Sequence, residues 1–341
     1  MRKILLPFSL IYLFITAIRN VLYNKGIFKS YSFSLPVIVI GNLSTGGTGK
    51  SPMTEYLIRL LKNNYQLATL SRGYKRKTNG FVLADSKATA ETIGDEPYQF
   101  YTKFSDITVA VDADRVNGVN KLLSLNNRPD VIVLDDAYQH RRLKAGFYIL
   151  LTAYSDLYAD DYLLPAGNLR ESGAGAKRAD VIVVTKCPPA LTPNEQEDII
   201  KKLKPIKGQK VFFSFIGYDD HVCSEAGKIA VNEVKVMPKI LVAGIAKPKP
   251  FFEYVKGNND IIKPYPDHHD FTEKEIAELR AIADNRIIIT TEKDYMRLKG
   301  KIPAGKLYYL PIKTVFLNNS GQFDKTILDY VGKSTANSRI H

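Results

Sequence analysis

Short apolar runs alternate with longer stretches of helix-like sequence along most of the chain. The runs are rich in β-branched residues and uniformly apolar, which is typical of parallel strands buried on both faces. The first of them are VIVIG (37–41), QLATLSRGY (66–74), DITVAVDADR (106–115), DVIVLDD (130–136), FYILLTAY (147–154) and ADVIVVTK (179–186). We therefore predict an α/β fold with a doubly wound, mainly parallel sheet.

A second series of strand and helix patterns follows a polar stretch. It comprises KILVAGIAKPKPFFEYV (239–255), DNRIIITTEKDYMRL (284–298) and KLYYLPI (306–312). The polar stretch, CSEAGKIAVNEV, predicts an antiparallel ribbon. Because a single core rarely grows beyond ~250 residues, we assign the 341 residues to two lobes. The predicted segments are an N-terminal membrane-associating helix (1–26), a core lobe (27–215), a two-stranded linker (216–236) and a smaller C-terminal α/β lobe (237–341).

The N-terminal segment is apolar from Ile4 to Ile18 and has basic residues at both ends. A membrane-spanning helix needs ~20 apolar residues, so this shorter run, which contains Pro7, disfavours spanning. A signal peptide would require a small-residue cleavage site, which does not follow. Two alternatives remain, a helix on the bilayer surface and a helix buried against the protein itself. We favour the first, with interfacial anchors at Phe8, Tyr12, Phe14 and Tyr23.

The chain is basic, because 48 Lys and Arg against 35 Asp and Glu give a formal net charge of +13. This surplus predicts an anionic partner such as nucleic acid, a phosphate compound or an acidic membrane surface. The basic residues are scattered and no nucleic-acid-binding motif is present, so we predict no nucleic-acid partner. Cys187 and Cys223 lie far apart without metal-ligand spacing, which disfavours a zinc site and fits a reducing cytosol.

The first apolar run leads into GNLSTGGTGKSP (41–52), a glycine-rich turn followed by Gly-Lys-Ser. Backbone N–H groups of such a turn converge on phosphate oxygens at the start of a helix, so the fold is predicted to be of the P-loop NTPase type. Ser44 stands where the consensus has glycine, and a small residue can begin the same turn. Lys50 would reach the terminal phosphates and Ser51 would supply a Mg²⁺ ligand. The predicted nucleotide-binding residues of the loop are Ser44, Gly46, Gly47, Thr48, Gly49, Lys50 and Ser51.

The run VIVLDD ends in two acids, the arrangement that brings a carboxylate beside a phosphate loop. We predict that Asp135 or Asp136 holds Mg²⁺, directly or through water. An acid that merely caps a strand would be the alternative if the loop were missing. The run VIVVTKCP contains part of a guanine-specificity motif at Thr185 and Lys186, but Pro188 replaces the aspartate that guanine requires. ATP is therefore the predicted nucleotide.

Further motifs occur in order along nearly the whole chain. They are LSRGY (70–74), GDEP (94–97), DDAYQHRRL (135–143), LPAGNLRE (164–171), DHHDF (267–271) and TTEKD (290–294). Together with the glycine-rich loop, they resemble the tetraacyldisaccharide 4'-kinase family, the lipid A 4'-kinases of Gram-negative bacteria. The resemblance implies an ATP- and Mg²⁺-dependent kinase that phosphorylates the 4'-hydroxyl of a tetraacylated glucosamine disaccharide 1-phosphate. It also implies peripheral attachment to the cytoplasmic face of the inner membrane, and no protein partner is predicted.

The resemblance also implies roles for individual residues. Asp95 of GDEP would be the base, assisted by His268 from the other lobe, and Lys50 would assist catalysis at the phosphates. Arg170 would lie near the nucleotide phosphates and Glu171 near the metal ion. Arg72, Tyr74 and Glu96 are candidate substrate-binding residues. From the residues alone, plainer alternatives remain open: a surface turn for Asp95, a solvated histidine, and a surface ion pair of Arg170 and Glu171. For Arg72 and Tyr74 the alternative is ordinary packing.

Two other functions compete with a kinase. A P-loop regulatory NTPase, a switch or metallochaperone-like protein, would hydrolyse the nucleotide without an acceptor. A membrane-tethered binding protein without chemistry would not require Lys50, Ser51 and two strand-end acids together. Acceptor-dependent consumption of ATP separates the kinase from both alternatives.

Overall fold

The protein is described by a computed structural model over residues 2–267 and 269–338. It divides into two compact units, the described parts of Met1–Ile216 with Thr314–His341, and Gly217–Lys313. The α-helices in the described ranges are α1 (Leu6–Asn24), α2 (Lys50–Leu61), α3 (Ala90–Ile93), α4 (Asp95–Lys103), α5 (Arg115–Leu123), α6 (Pro193–Leu203), α7 (Val231–Val236), α8 (Lys249–Val255), α9 (Glu273–Ile282), α10 (Glu292–Leu298) and α11 (Ser320–Ser338). The strands are β1 (Val37–Asn42), β2 (Leu67–Ser71), β3 (Val82–Leu83), β4 (Thr108–Val111), β5 (Val131–Asp135), β6 (Phe147–Ala153), β7 (Val181–Thr185), β8 (Lys210–Tyr218), β9 (His221–Ser224), β10 (Gly227–Ala230), β11 (Lys239–Ala243), β12 (Ile261–Pro264), β13 (Ile287–Thr291), β14 (Leu307–Leu310) and β15 (Ile312–Phe316).

The first unit is built on a nine-stranded sheet with the order β15-β8-β7-β6-β1-β5-β2-β4-β3. The neighbours from β8 to β4 pair in parallel, and β3 pairs antiparallel with β4. Strands β1, β2, β5 and β7 are buried at every position, as the uniformly apolar runs predict. The predicted doubly wound, mainly parallel sheet is confirmed. Its parallel strands bring the carboxyl ends of β1, β5 and β7 to one edge.

Helices cover both faces of this sheet. One apolar cluster includes Met53 and Leu57 of α2 and Phe323 and Ile327 of α11. The other includes residues of α5 and α6, such as Val119 and Leu203.

Helix α1 contacts the first unit through a narrow polar face and exposes a broad apolar one. The exposed apolar residues include Phe8, Leu10, Ile11, Phe14 and Ile15. Only 6% of the apolar stretch of this helix is buried, which excludes the alternative of a helix buried against the protein. By its length and composition alone, the helix could cross a membrane.

Two of the four predicted interfacial anchors face the protein instead. The Tyr12 hydroxyl donates to the carbonyl of Arg170 (2.8 Å). The Tyr23 ring is contacted by the guanidinium groups of Arg19 and Arg141, with 5.6 and 5.5 Å to the ring centroid. The Tyr12 hydrogen bond and the contact of Tyr23 with Arg141 hold the helix on the rest of its unit, whereas Arg19 lies in α1 itself.

The second unit contains a six-stranded sheet with the order β10-β9-β14-β13-β11-β12. Strands β11, β12, β13 and β14 pair in parallel, and β9 pairs antiparallel with β10 and β14. The predicted antiparallel ribbon is therefore present as β9 and β10, but it forms the edge of this sheet.

The structure divides the chain differently from the predicted segments at two places. Residues 217–236, predicted as a linker, belong to the compact second unit. The part of the chain from Thr314 onward, predicted in the C-terminal lobe, belongs to the first unit. The reason is packing, because Phe323, Ile327 and Val331 of α11 are fully buried in the first unit's core.

Candidate active site

The loop between β1 and α2 has the backbone geometry of an anion site. Gly46 and Gly49 adopt φ values of 111° and 84°, which favour glycine. The N–H of Met53 donates to the carbonyl of Gly49 (3.2 Å), so this is the first bond of the helix. The N–H groups of Lys50 and Ser51 precede that bond and have no acceptor within the helix, which makes the helix start suitable for phosphate oxygens.

The loop is braced from within and from β7. The side-chain amide of Asn42 donates to the Thr48 hydroxyl (2.9 Å), and the Thr185 hydroxyl donates to the Thr48 carbonyl (2.7 Å). The Lys186 ammonium donates to the carbonyl of Gly47. Ser44 is buried and forms a β-bridge with Leu169. Ser44 and Thr48 thus shape the loop, and the guanine-like VTK segment supplies two of its supports.

Three carboxylates gather below the loop, where β5 ends. The Ser51 hydroxyl donates to Glu96 (2.7 Å), and the Thr54 hydroxyl donates to Asp135 (3.2 Å). Asp135 is 1% exposed. Burial, together with the negative charges of Glu96 and Asp136, raises the pKa of Asp135 to about 7. This concentration of oxygen ligands and negative charge suits a divalent cation such as Mg²⁺.

Asp136 adopts a left-handed backbone conformation with φ 49° and faces two cations. The Lys50 ammonium lies 3.8 Å from its carboxylate, and the Arg170 guanidinium lies 3.2 Å from it. The buried Arg115 donates to the Asp136 carbonyl (3.4 Å), and burial lowers the pKa of Arg115 to about 10, so that this side chain remains charged at neutral pH. The predicted residues Lys50, Asp136 and Arg170 therefore lie together.

The motifs RGY and GDEP are brought together by two glycines with positive φ. A Cβ on Gly94 would lie 3.2 Å from the backbone of Gly73 and from the carbonyl of Tyr74, so that only glycine permits this approach. Asp95 is exposed and is the first residue of α4, next to Glu96, which holds Ser51. Asp95 therefore lies at the phosphate-loop edge of the sheet, as the sequence predicts. Tyr74 is 75% exposed on the neighbouring loop, where Arg72 is exposed too.

His268 lies outside the described residues. The adjacent His269 has a partner in its own unit: its Nε2 lies 3.0 Å from Glu275, and its ring stacks on Tyr265 at 4.8 Å between centroids. These contacts give His269 a structural role. The prediction for His268 stays a prediction.

Glu171 is buried and satisfied by donors other than those of the acid cluster. Arg178 donates to both of its oxygens (2.8 and 2.9 Å), and Gln139 and Asn20 also donate to it (3.2 and 3.1 Å). A carboxylate with four such donors is a poor candidate for metal binding, so the geometry favours a structural role for Glu171 over the predicted one.

Two residues at the site have contacts that the sequence did not predict. Glu96 accepts from the predicted metal ligand Ser51, and its predicted role in substrate binding stays a prediction. Gln139 was not singled out, yet its side-chain amide donates to the carbonyl of Asn42 (2.7 Å), directly before the loop. The motif DDAYQHRRL contained Gln139, and only its first two acids suggested chemistry.

The chain is similar in sequence to known proteins. The sequence model of the family LpxK, described as tetraacyldisaccharide-1-P 4'-kinase, matches residues 1–332. The chain is 58% identical over 331 residues to the tetraacyldisaccharide 4'-kinase of Flavobacterium johnsoniae, with 97% of each chain covered. It is 42% identical over 360 residues to that of Bacteroides thetaiotaomicron, with 98% of this chain and 95% of the relative covered.

A solved structure is similar as well. It is that of LpxK from Aquifex aeolicus in complex with ATP, with a TM-score of 0.77 and 31% identity. The match covers 97% of this chain and 99% of the other.

Proposed function

The chain belongs to the tetraacyldisaccharide-1-P 4'-kinase family, and we propose that it transfers the γ-phosphate of ATP to the 4'-hydroxyl of a tetraacylated glucosamine disaccharide 1-phosphate. The observation that carries this proposal is the convergence of Lys50, Ser51, Glu96, Asp135 and Asp136 at one edge of the parallel sheet. The N–H groups of Lys50 and Ser51, which have no acceptor within the helix, are available there for the phosphates of ATP.

Mg²⁺ fits this donor set. Hydroxyl and carboxylate oxygens are the ligands that Mg²⁺ prefers. Burial and the negative charges of Glu96 and Asp136 raise the pKa of Asp135, and a cation would neutralise those charges. Ser51, Asp135 and Asp136 are the proposed ligands of the ion. Glu96 lies beside them, because it accepts a hydrogen bond from Ser51. When bound, the ion would neutralise charge on the phosphates. Glu171 is not included, because its oxygens are occupied by Arg178, Gln139 and Asn20.

The chain's own residues account for the proton and for the charge of the transferred group. Asp95 accepts the proton of the 4'-hydroxyl while the sugar oxygen bonds to the γ-phosphorus. The bond between the γ-phosphorus and the bridging oxygen breaks, and ADP leaves with that oxygen. Lys50 and Arg170 stabilise the charge on the phosphates. His268 is proposed to assist Asp95, as the family resemblance implies, and Arg72 and Tyr74 remain candidates for substrate contact.

Attachment to the membrane is proposed through the exposed apolar face of α1. Phe14 is 67% exposed, and the apolar surface continues after the helix at Ile27 and Phe28. The polar face is hydrogen-bonded to the first unit, which favours a helix that lies in the membrane surface over one that crosses the bilayer. The net charge of +13 favours an anionic surface. The cytoplasmic face of the inner membrane is the proposed location.

An acceptor-dependence experiment tests the function. Purified protein, ATP and Mg²⁺ are incubated with and without a tetraacylated disaccharide 1-phosphate in detergent micelles, and ADP and lipid product are measured. A kinase releases ADP only with the acceptor, and the product gains one phosphate at the 4' position by mass spectrometry and ³¹P NMR. ADP release at the same rate without the acceptor would instead support a regulatory NTPase.

A further inference from the structure

The polar face of α1 leads through side-chain contacts to the start of the phosphate loop. Asn20 donates to one oxygen of Glu171 (3.1 Å), and Gln139 donates to the other (3.2 Å). The same Gln139 amide nitrogen donates to the carbonyl of Asn42, the last residue of β1 (2.7 Å). Arg19 donates to the backbone carbonyl of Gln139 (2.9 Å). The side chains of Asn20, Glu171 and Gln139 therefore form a row of hydrogen bonds from the helix to the start of the loop.

A second connection runs through Arg170. The Tyr12 hydroxyl donates to the Arg170 carbonyl (2.8 Å), and the Arg170 N–H donates to the carbonyl of Leu43 in the phosphate loop (2.7 Å). The Arg170 guanidinium pairs with Asp136 (3.2 Å). The backbone of residue 170 thus lies between α1 and the loop, while its side chain reaches the acid cluster.

The first connection runs through groups that are shielded from water. Asn42 is fully buried, and the Glu171 side chain is 5% exposed. Hydrogen bonds of buried, charged groups are stronger and more directional than exposed ones, so their loss shifts the groups that they hold. A helix that served only to bind the membrane would need neither connection.

We propose that the polar face of α1, formed by Tyr12, Arg19 and Asn20, positions the phosphate loop and Arg170 for ATP. The helix then has two functions on two faces: the apolar face meets the membrane and the polar face supports the nucleotide site. This inference rests on the proposed function, because it takes the loop to be the ATP site. Removal of the whole helix would abolish both functions together. The test therefore substitutes residues of one face at a time.

The test compares variants of the two faces in the full chain. The polar-face variant is Tyr12→Phe with Asn20→Ala, and Asn20→Asp is a stronger form because it places a carboxylate against Glu171. The matched control is Thr16→Ala, since the Thr16 hydroxyl donates only to carbonyls of its own helix. Phe14→Ser represents the apolar face. The readouts are the Kd of ATP by calorimetry, KM for ATP against kcat, the unfolding temperature, and sedimentation with vesicles that contain anionic lipid.

The polar-face double variant is expected to raise the Kd and KM of ATP about five- to tenfold, the effect of one or two lost hydrogen bonds. Asn20→Asp should raise them further, and Thr16→Ala should leave them within about twofold. Vesicle binding should be kept by the polar-face variants and lost by Phe14→Ser. An unchanged Kd of ATP in the double variant, or a lower unfolding temperature with unchanged KM, would overturn the inference.

The outcome is separable from that of the proposed function. If the unmodified protein binds ATP but shows no acceptor-dependent turnover, the kinase proposal fails while the Kd comparison still decides the role of α1. If turnover depends on the acceptor and the double variant binds ATP normally, the positioning role alone fails.

Discussion

Strands β1 and β11 lie inside two separate, mainly parallel sheets, but the turns that follow them satisfy their N–H groups differently. Each is fully buried and has a parallel strand on both sides. After β1, the glycine-rich loop leaves helix-start N–H groups for a ligand. After β11, the N–H of Gly244 donates to the carboxylate of Asp294 (2.8 Å), which is fully buried and also accepts from Thr291.

The second unit thus fills this position with an anion of its own. The carboxyl edge of a parallel sheet offers a possible ligand site in any doubly wound fold. Whether it becomes one depends on the side chains there. In the first unit, Lys50 and Ser51 are the proposed partners of phosphate and Mg²⁺, whereas in the second unit the TTEKD motif closes the turn with Asp294. The TTEKD motif thus has a structural function.

The largest effect is expected from Lys50→Ala, which removes the cation from the open site. Because charge on the transferred phosphate loses its partner, kcat should fall at least about a hundredfold, with the unfolding temperature nearly unchanged. Steady-state kinetics and a thermal melt measure this. Lys249→Ala is the matched control, since Lys249 also begins a helix after its loop but is 84% exposed. If Lys50→Ala keeps more than about a tenth of the activity, Lys50 is not a phosphate ligand.

Asp95→Ala is expected to lower kcat about a hundredfold with little change in ATP affinity, the usual effect of losing a positioned base. His268→Ala should do less. The double variant should fall short of the product of the two losses, because residues that act as one unit are not additive. Rate measurements on all four proteins decide this, and purely multiplicative losses would mean that the two residues act independently.

Asp294→Ala should affect stability and leave ATP binding intact. It leaves the buried N–H of Gly244 without its acceptor, which costs about 2 kcal/mol of the free energy of unfolding. Urea denaturation followed by nucleotide titration measures both quantities. Weaker ATP binding at unchanged stability would contradict the assignment of the closed turn to structure alone.

The smallest effect is expected from Lys186→Ala, which removes a support of the loop at Gly47. The site is exposed, so KM for ATP should rise only about three- to fivefold, the weight of one hydrogen bond, with kcat unchanged. Initial rates over a range of ATP concentrations provide the check. A larger loss in kcat than in ATP affinity would indicate that Lys186 contacts the transferred phosphate.

Local patterns were sufficient to predict the parts of the site that are contiguous in sequence. The strand, the glycine-rich turn and Lys50 follow one another, and VIVLDD ends in its own acids, so residue spacing alone indicates their chemistry. Uniformly apolar runs likewise predicted the mainly parallel first sheet, because burial on both faces leaves no alternation.

Contacts between distant segments could not be predicted in this way. Glu96 contacts Ser51 although the two residues are 45 positions apart in the sequence, and the periodicity of apolar residues does not indicate such a contact. The polar positions of α1 were visible in the sequence, but its apolar composition dominated the interpretation, so that Tyr12 was assigned to the membrane. The position of α11 depends on which of the two units has an apolar surface that its apolar face can cover. Sequence pattern alone does not indicate this, because it is decided by tertiary packing.

The return of the chain to the first unit after Lys313 also has a consequence for biosynthesis. The buried side chains of Phe316, Phe323, Ile327 and Val331 complete a core whose other buried members lie before residue 217. The last third of the chain must therefore be synthesised before the core of the nucleotide-binding unit can be completed. Nascent chains that stop before Thr314 should keep that apolar surface uncovered, and they should depend on chaperones for as long as translation continues.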